Sequence, residues 1–314
     1  MPYFCYNKRV MYMKDILKCC NLCPRECKIN RYKTTGFCKM DSTITIARAS
    51  LHMWEEPCLS GNNGSGTIFF TGCNLKCIFC QNSEISTKQV GQKVSITEFA
   101  NICLNLQKQG AHNINLVTPT HFVPLIIPGL KLAKKKGLKI PIIYNTSSYE
   151  KVETIKMLAG LIDIYLPDLK YYNDEYAIKY SNAPNYFEVA TSAIDEMFKQ
   201  VGTPQFDKNG IMTKGIIVRH LMMPSLKSDS KKIIHYLYKQ YKNNVYISIM
   251  NQYTPTKIFN EYKELNNKIE ENDYDEIINY ALDIGIKKAF IQEGDTASES
   301  FIPDFTNQDL PTKI

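Results

Sequence analysis

"TIFFTGCNLKCIFCQN" (residues 67–82) reads as a short apolar strand running straight into a loop that carries Cys73, Cys77 and Cys80. Parallel α/β folds collect their chemistry in the loops at the C-terminal ends of strands. The rest of the chain repeats the strand half of this pattern. The apolar runs "NINLV", "IPIIY", "IDIYL", "GIIV", "VYISIM" and "KAFIQ" alternate with segments of helical period near 96–109, 122–136, 149–159, 185–200, 229–242 and 273–284. Two of these helices open on capping-box patterns, Ser95 with Glu98 and Ser147 with Glu150. Alternation of apolar strands with helices predicts a parallel sheet covered by helices. With six or seven such units the expected fold is α/β, a partial or near-complete parallel (β/α) barrel. No GxGxxG or Walker A pattern supports an open nucleotide-binding sheet instead.

Ahead of this rhythm the chain is of another kind. Up to the loop "SGNNGSG" (60–66) it is irregular and cysteine-rich, with one strand-like run, "TITIARAS". Two parts are expected: a cysteine-rich N-terminal segment over 1–66 and the barrel over 67–314. The 314 residues are 44% apolar, enough for a large core, and carry a mild net charge of +7. Lys134–Lys136 stand beside Gly137 and read as the solvated end of a helix, so no nucleic-acid partner is expected. No run of eighteen apolar residues occurs, and the opening "MPYFCYNKRVMYMKD" has no long apolar stretch. A cytoplasmic protein without a membrane partner is the expectation.

Of eleven cysteines, ten precede residue 81 and only Cys103 lies beyond. In a long, Lys-rich chain of this kind, clustered thiols hold metal or do chemistry more often than they form bridges. Structural zinc takes four ligands, and the loop at 73–80 offers three thiols with no histidine close by. Three thiolates around a four-iron cube leave one iron open, and an open metal position is where a substrate binds.

The spacing Cys73-x3-Cys77-x2-Cys80, with Phe79 before the last cysteine, resembles the signature of the radical S-adenosylmethionine enzymes. "GSGTIFFTGCNLKCIFCQN", "NINLVTPTH", "YNTSSYE", "DIYLPDLKY" and "VRHLMMP" resemble a branch akin to the pyruvate formate-lyase activating enzymes, from about residue 19 to the seventh strand. The resemblance implies a barrel of that superfamily, with a 4Fe–4S cluster on the three cysteines whose open iron binds S-adenosylmethionine. It implies reductive cleavage to a 5′-deoxyadenosyl radical that abstracts hydrogen, and an electron donor such as flavodoxin or ferredoxin. It also implies activation of a glycyl-radical enzyme or modification of a protein or peptide.

The same resemblance suggests cofactor contacts. Where the family has a Gly-Gly-Glu-like segment for the amino group, this chain reads Thr118-Pro119-Thr120-His121. Thr120 or His121 would have to supply that contact, and a structural hydrogen bond is the other reading of the histidine. Asn145, Thr146 and Ser147 fall where polar groups approach the cofactor's carboxylate and ribose, or serve as a helix N-cap. Asp168 and Lys170 are expected to line the site, with an ordinary surface pair as the alternative. Arg219 is expected on the cofactor carboxylate, which a guanidinium binds bidentately. Asn251, Gln252 and Tyr253 are expected near the adenine.

"CNLCPRECKINRYKTTGFC" sets Cys20, Cys23, Cys27 and Cys38 apart as a possible second site, with Cys19 as an alternative to Cys20. Four thiolates suit zinc or a second iron–sulfur cluster, closed and therefore structural or electron-conducting. Cys5, Cys58 and Cys103 read as ordinary small apolar residues. Two alternatives to a protein-modifying enzyme stay open: a related enzyme acting on a small molecule, and a non-catalytic iron–sulfur protein that carries electrons or binds a partner. The open iron position speaks against the last.

Overall fold

The computed structural model describes residues 16–292, with Phe305 and Leu310. Every one of the seven apolar runs forms a strand: β2 (Ser65–Phe70), β4 (Ile114–Val117), β5 (Ile142–Thr146), β6 (Ile164–Pro167), β8 (Met212–Leu221), β9 (Tyr246–Met250) and β10 (Ala289–Ile291). They pair in parallel in the order β2, β4, β5, β6, β8, β9, β10. The strand-like run before them is β1 (Ile44–His52), antiparallel to β2 and bulged between Ile46 and Arg48. It pairs on its other side with the short β3 (Gln92–Val94), and β7 (Gln205–Phe206) is a two-residue partner of β8. Among the described residues the sheet runs from β3 to β10 without a pairing between those two edges. The expected barrel is therefore partial and open. The expected division at residue 66 falls inside β2, and β1 joins the front part to the sheet.

Five helices match the periodic segments closely: α3 (Ile96–Lys108), α4 (Val123–Lys135), α7 (Tyr186–Val201), α8 (Lys227–Tyr241) and α9 (Glu271–Asp283). The short α1 (Pro57–Ser60), α2 (Ser83–Thr87) and α6 (Asp174–Ser181) complete the set with α5 (Val152–Lys156). α3 starts on the expected capping box, Ser95 Oγ accepting from the Glu98 N–H while Glu98 accepts from the Ser95 N–H. α5 is shorter than expected, and the second capping box does not form. Its N-cap is Lys151, with no side-chain bond. Glu150 has turned into the protein instead, where its Oε1 accepts hydroxyls from Thr120, Thr146 and Tyr144 at 2.6, 2.7 and 3.1 Å. Three donors from neighbouring strand ends outbid one exposed backbone N–H.

The main core lies between the sheet's outer face and the helices, with Ile68, Phe70, Leu116, Tyr144, Val218 and Ile249 among its strand residues. The other face is filled at one end by the connection after β1. Cys58 and Leu59 of α1 pack there against Ile143, Ile164, Leu166 and Ile217. Cys58 and Cys103 are both buried apolar residues, and Cys5 lies outside the described residues. Among the described residues no helix is long and apolar enough to cross a membrane.

Candidate functional site

β2 ends at Phe70, and the chain turns at once. Thr71 N–H donates to Thr45 O at 3.0 Å, and Gly72, with φ +85°, donates to Ile85 O at 2.9 Å. A side chain at Gly72 would strike the Cys38 carbonyl oxygen and Met40 Cγ, each 2.6 Å from where a Cβ would sit. Glycine serves twice here, for the left-handed turn and for the close approach of the front segment. The loop then leans on the end of α6, with Lys76 N–H on Ser181 O at 3.2 Å and Ile78 N–H on Tyr180 O at 2.9 Å. Phe79 is buried beside Tyr253, ring centres 6.0 Å apart.

This scaffold gathers Cys73, Cys77 and Cys80. Each sulfur faces a donor: Leu75 N–H on Cys73 at 3.4 Å, Ser181 Oγ on Cys77 at 3.0 Å, Ser86 Oγ on Cys80 at 3.6 Å. Burial, with the neighbouring thiols, pushes the Cys73 thiol far up. Burial raises Cys77 to about 11 although the Lys170 ammonium pulls the other way, and Cys80 is raised by burial too. Lys170 is the cation that faces all three. Burial works against its charge, but Asp168, 2.7 Å away, and Cys77 outweigh that and hold it above the ordinary lysine range. Buried thiols with donors on their sulfurs and a cation in front of them are protonated when empty and suited to thiolate when bound to a soft metal. Among the described residues no three His, Cys, Asp or Glu side chains are gathered to hold one metal ion, these three included. A four-iron cube would offer a separate iron to each of the three thiolates, a donor set whose chemistry suits it.

Asp168 follows β6, bridges to Arg219 of β8, and with Lys170 forms a partly buried pair beside the thiols. Tyr186 locks this corner, its hydroxyl donating to the Asp168 and Ser147 carbonyls at 3.1 and 2.9 Å and accepting from the Lys170 N–H at 3.0 Å. Asn145 lies beside Thr118, whose N–H donates to the Asn145 carbonyl at 2.9 Å, and Thr118 holds a left-handed φ of +56°. Gln252 meets the loop, its carbonyl accepting from Gln81 Nε2 at 3.3 Å.

Four residues expected at the cofactor have partners within the protein. Thr120 and Thr146 give their hydroxyls to Glu150. His121 is buried, with Nε2 on the Thr71 carbonyl at 2.7 Å, so it braces the start of the loop. Burial and the nearby Arg31 charge lower its pKa to about 3, which keeps the ring neutral. Arg219 is bidentate on Glu56, at 2.8 and 2.5 Å, and also pairs with Glu55. Two carboxylates already fill the fork that the sequence assigned to the cofactor. Both acids precede Pro57 on the connection that plugs the sheet, and Asn115 Nδ2 donates to Glu55 at 2.7 Å. The adjacent acids in "WEEPC" were the signal for this pair.

Comparison with known proteins follows the same lines. Residues 67–216 match the family described as the Radical SAM superfamily. That stretch of the chain is a radical SAM domain. A radical SAM domain brings a 4Fe–4S cluster and S-adenosylmethionine with it. The chain is 31% identical over 281 residues to an uncharacterized protein of Methanocaldococcus jannaschii, covering 86% of this chain and 75% of that one. Solved radical SAM structures are more distant. Streptococcus suis SuiB, bound to its precursor peptide SuiA, gives 13% identity and a TM-score of 0.47 over 71% of this chain. It is the longer chain, of which this one covers 47%, about half. The FeFe-hydrogenase maturase HydG of Carboxydothermus hydrogenoformans gives 13% and 0.48, covering 73% of this chain and 54% of that one. A domain of pyruvate-formate lyase-activating enzyme from Bacteroides vulgatus gives 15% and 0.39, covering 55% and 92%. Likenesses this remote assign no substrate.

Proposed function

We propose that this radical SAM protein is an enzyme that abstracts a hydrogen atom from a protein or peptide partner, activation of a glycyl-radical enzyme being the leading case. The observation that carries the catalytic half is the loop of Cys73, Cys77 and Cys80, each sulfur given a donor and all three facing Lys170. These cysteines are the proposed cluster ligands. When bound and reduced, the cluster supplies the electron that cleaves S-adenosylmethionine to methionine and a 5′-deoxyadenosyl radical. The chain's own residues hold and orient. Lys170, fixed by Asp168, puts a buried positive charge beside the thiolates and offsets part of theirs. Asn145 and Thr118 offer polar groups at neighbouring strand ends for the cofactor's carboxylate and ribose. Asp168 offers the acceptor for its amino group that the missing Gly-Gly-Glu-like segment would otherwise give.

The open sheet supports a macromolecular substrate. Among the described residues β3 and β10 are not paired to each other, and this reading takes that opening as the side from which a segment of polypeptide would approach. A one-electron donor of low potential, such as flavodoxin or ferredoxin, is the proposed reductant.

The test is anaerobic. Reconstituted protein with dithionite and S-adenosylmethionine is expected to release 5′-deoxyadenosine, and Cys77→Ala is expected to lose both the barrel iron and the release. Iron-loaded protein that yields none overturns the enzyme reading. A carbon-centred radical signal transferred to an added glycyl-radical enzyme would mark the substrate class, and product only with small molecules would overturn it.

A further inference from the structure

The front segment holds a second set of thiols that the cofactor chemistry does not use. Cys20 and Cys38 are buried and Cys23 and Cys27 half-buried. The four stand in one another's electrostatic reach: Cys23 feels Cys38 and Cys20, and Cys38 feels Cys20 and Cys27. Backbone N–H groups point at three of the sulfurs, Arg25 at Cys23, Met40 at Cys38, and Phe37 at Cys27 over 3.4 Å. Gly36 makes room for this, since a Cβ there would stand 3.2 Å from Cys27 Sγ. Sulfurs that accept backbone N–H bonds are suited to be thiolate ligands.

The second observation is independent of the sulfurs. Arg31 is 0% exposed, yet among the described residues it forms no ion pair with a carboxylate. Its guanidinium donates to three backbone carbonyls, Met40 at 3.2 Å, His121 and Asp41. Arg25, only partly buried, donates to the Asn74 carbonyl at 2.8 Å and to the Asn182 carbonyl while lying over the Phe37 ring. A buried charge without a counter-charge is costly. Thiols within their electrostatic reach are Cys38 for Arg31, and Cys23, Cys27 and the barrel's Cys73, with the Tyr149 hydroxyl, for Arg25. Arg219, in contrast, has two carboxylates.

We propose that Cys20, Cys23, Cys27 and Cys38 bind a second, coordinatively closed thiophilic metal centre, an iron–sulfur cluster or a zinc ion, whose negative charge Arg31 and Arg25 balance. Four thiolates around either centre leave a net dianion, which matches the two arginines. The centre adjoins the barrel loop, because the Cys38 carbonyl rests on Gly72 and Arg25 bonds the carbonyl of Asn74. It takes no part in binding S-adenosylmethionine, having no open position.

The test uses the full chain with the barrel thiols removed, Cys73→Ala, Cys77→Ala, Cys80→Ala, so that failure of the barrel reading cannot be mistaken for failure here. After anaerobic reconstitution this variant is expected to retain metal. Iron with matching sulfide identifies a cluster, zinc alone identifies an ion, and either supports the proposal. A folded variant without bound metal, judged by circular dichroism, overturns it. In the same background Arg31→Gln, which keeps donors but loses charge, is expected to release the metal to excess chelator on the order of tenfold more readily. Arg31→Lys, which keeps the charge, is expected to stay near the parent. Equal retention in Arg31→Gln and the parent would overturn the charge balance. Adding Cys23→Ser and Cys27→Ser is expected to remove the metal altogether, and retention there would place it elsewhere.

Discussion

The two cysteine regions are built by opposite means. The loop from Cys73 to Cys80 hangs from a strand buried along its whole length and is pinned by helix ends, so regular structure sets its geometry before any ligand arrives. The segment from Cys20 to Cys38 has turns but neither helix nor strand, and three of its non-glycine residues or their neighbours (Glu26, Lys28 and Lys39) sit at left-handed φ. Such a segment owes its order to what its side chains bind and to the surface beneath it. One region presents its thiols from a rigid frame; the other is folded around its thiols.

Cys77→Ala tests that contrast most harshly. Release of 5′-deoxyadenosine is expected to fall to the level of a cluster-free control, while proteolysis of residues 16–43 stays as slow as in the parent. Faster cutting there would mean that the two regions order each other. Next comes the frame itself. Glu56→Ala leaves Arg219 with Glu55 alone in a buried setting, and a loss of about 3 kcal/mol is expected in urea unfolding. Metal retention by the front cysteines should not follow it at temperatures where the chain stays folded.

Between the regions lies Glu150, a buried acid whose second oxygen has no partner. Burial raises its pKa to about 7 although three hydroxyls bond it. A carboxyl raised in the folded state contributes stability that is complete below about 4.5 and disappears as pH climbs through 7. Unfolding measured from pH 5 to 8 is expected to show Glu150→Gln gaining on the parent by roughly 2–3 kcal/mol. A difference that does not change with pH would sink the buried-acid account. Smallest is Gly72→Ala, at φ +85° and against the Cys38 carbonyl, with an expected cost of about 1–2 kcal/mol. Because it touches both regions, front-segment proteolysis and barrel iron content should both worsen. If only one does, the contact does not couple them.

The strands and most helices could be read from sequence because each is announced by its own residues: apolar runs for β4, β5, β6 and β9, a capping box for α3. α6 escaped because "DEYAIKYS" buries only Ala177, Tyr180 and Ser181 and shows little periodicity. The site was less readable for a different reason. Arg219 meets acids 163 and 164 positions away in the chain, and no local pattern around it names them. Ser147 and Glu150 made a sound capping box locally, but Thr120, just after β4, and Tyr144 of β5 claim the carboxylate. Arg31 gave no signal at all, since a buried arginine looks like a surface one until its surroundings are known.

The antiparallel pairing of β1 with β2 has a consequence in time. Their connection, residues 53–64, is short, while the parallel pairs need a helix between strands. Loop closure is therefore cheaper here than for the parallel pairs, and this pair emerges from synthesis before any other strand. A ribbon formed first carries the cysteine loop at its end and the two acids in its bend. The later strands would assemble onto a chain in which the cluster loop already has its anchor, and Arg219 would arrive to find its partners waiting.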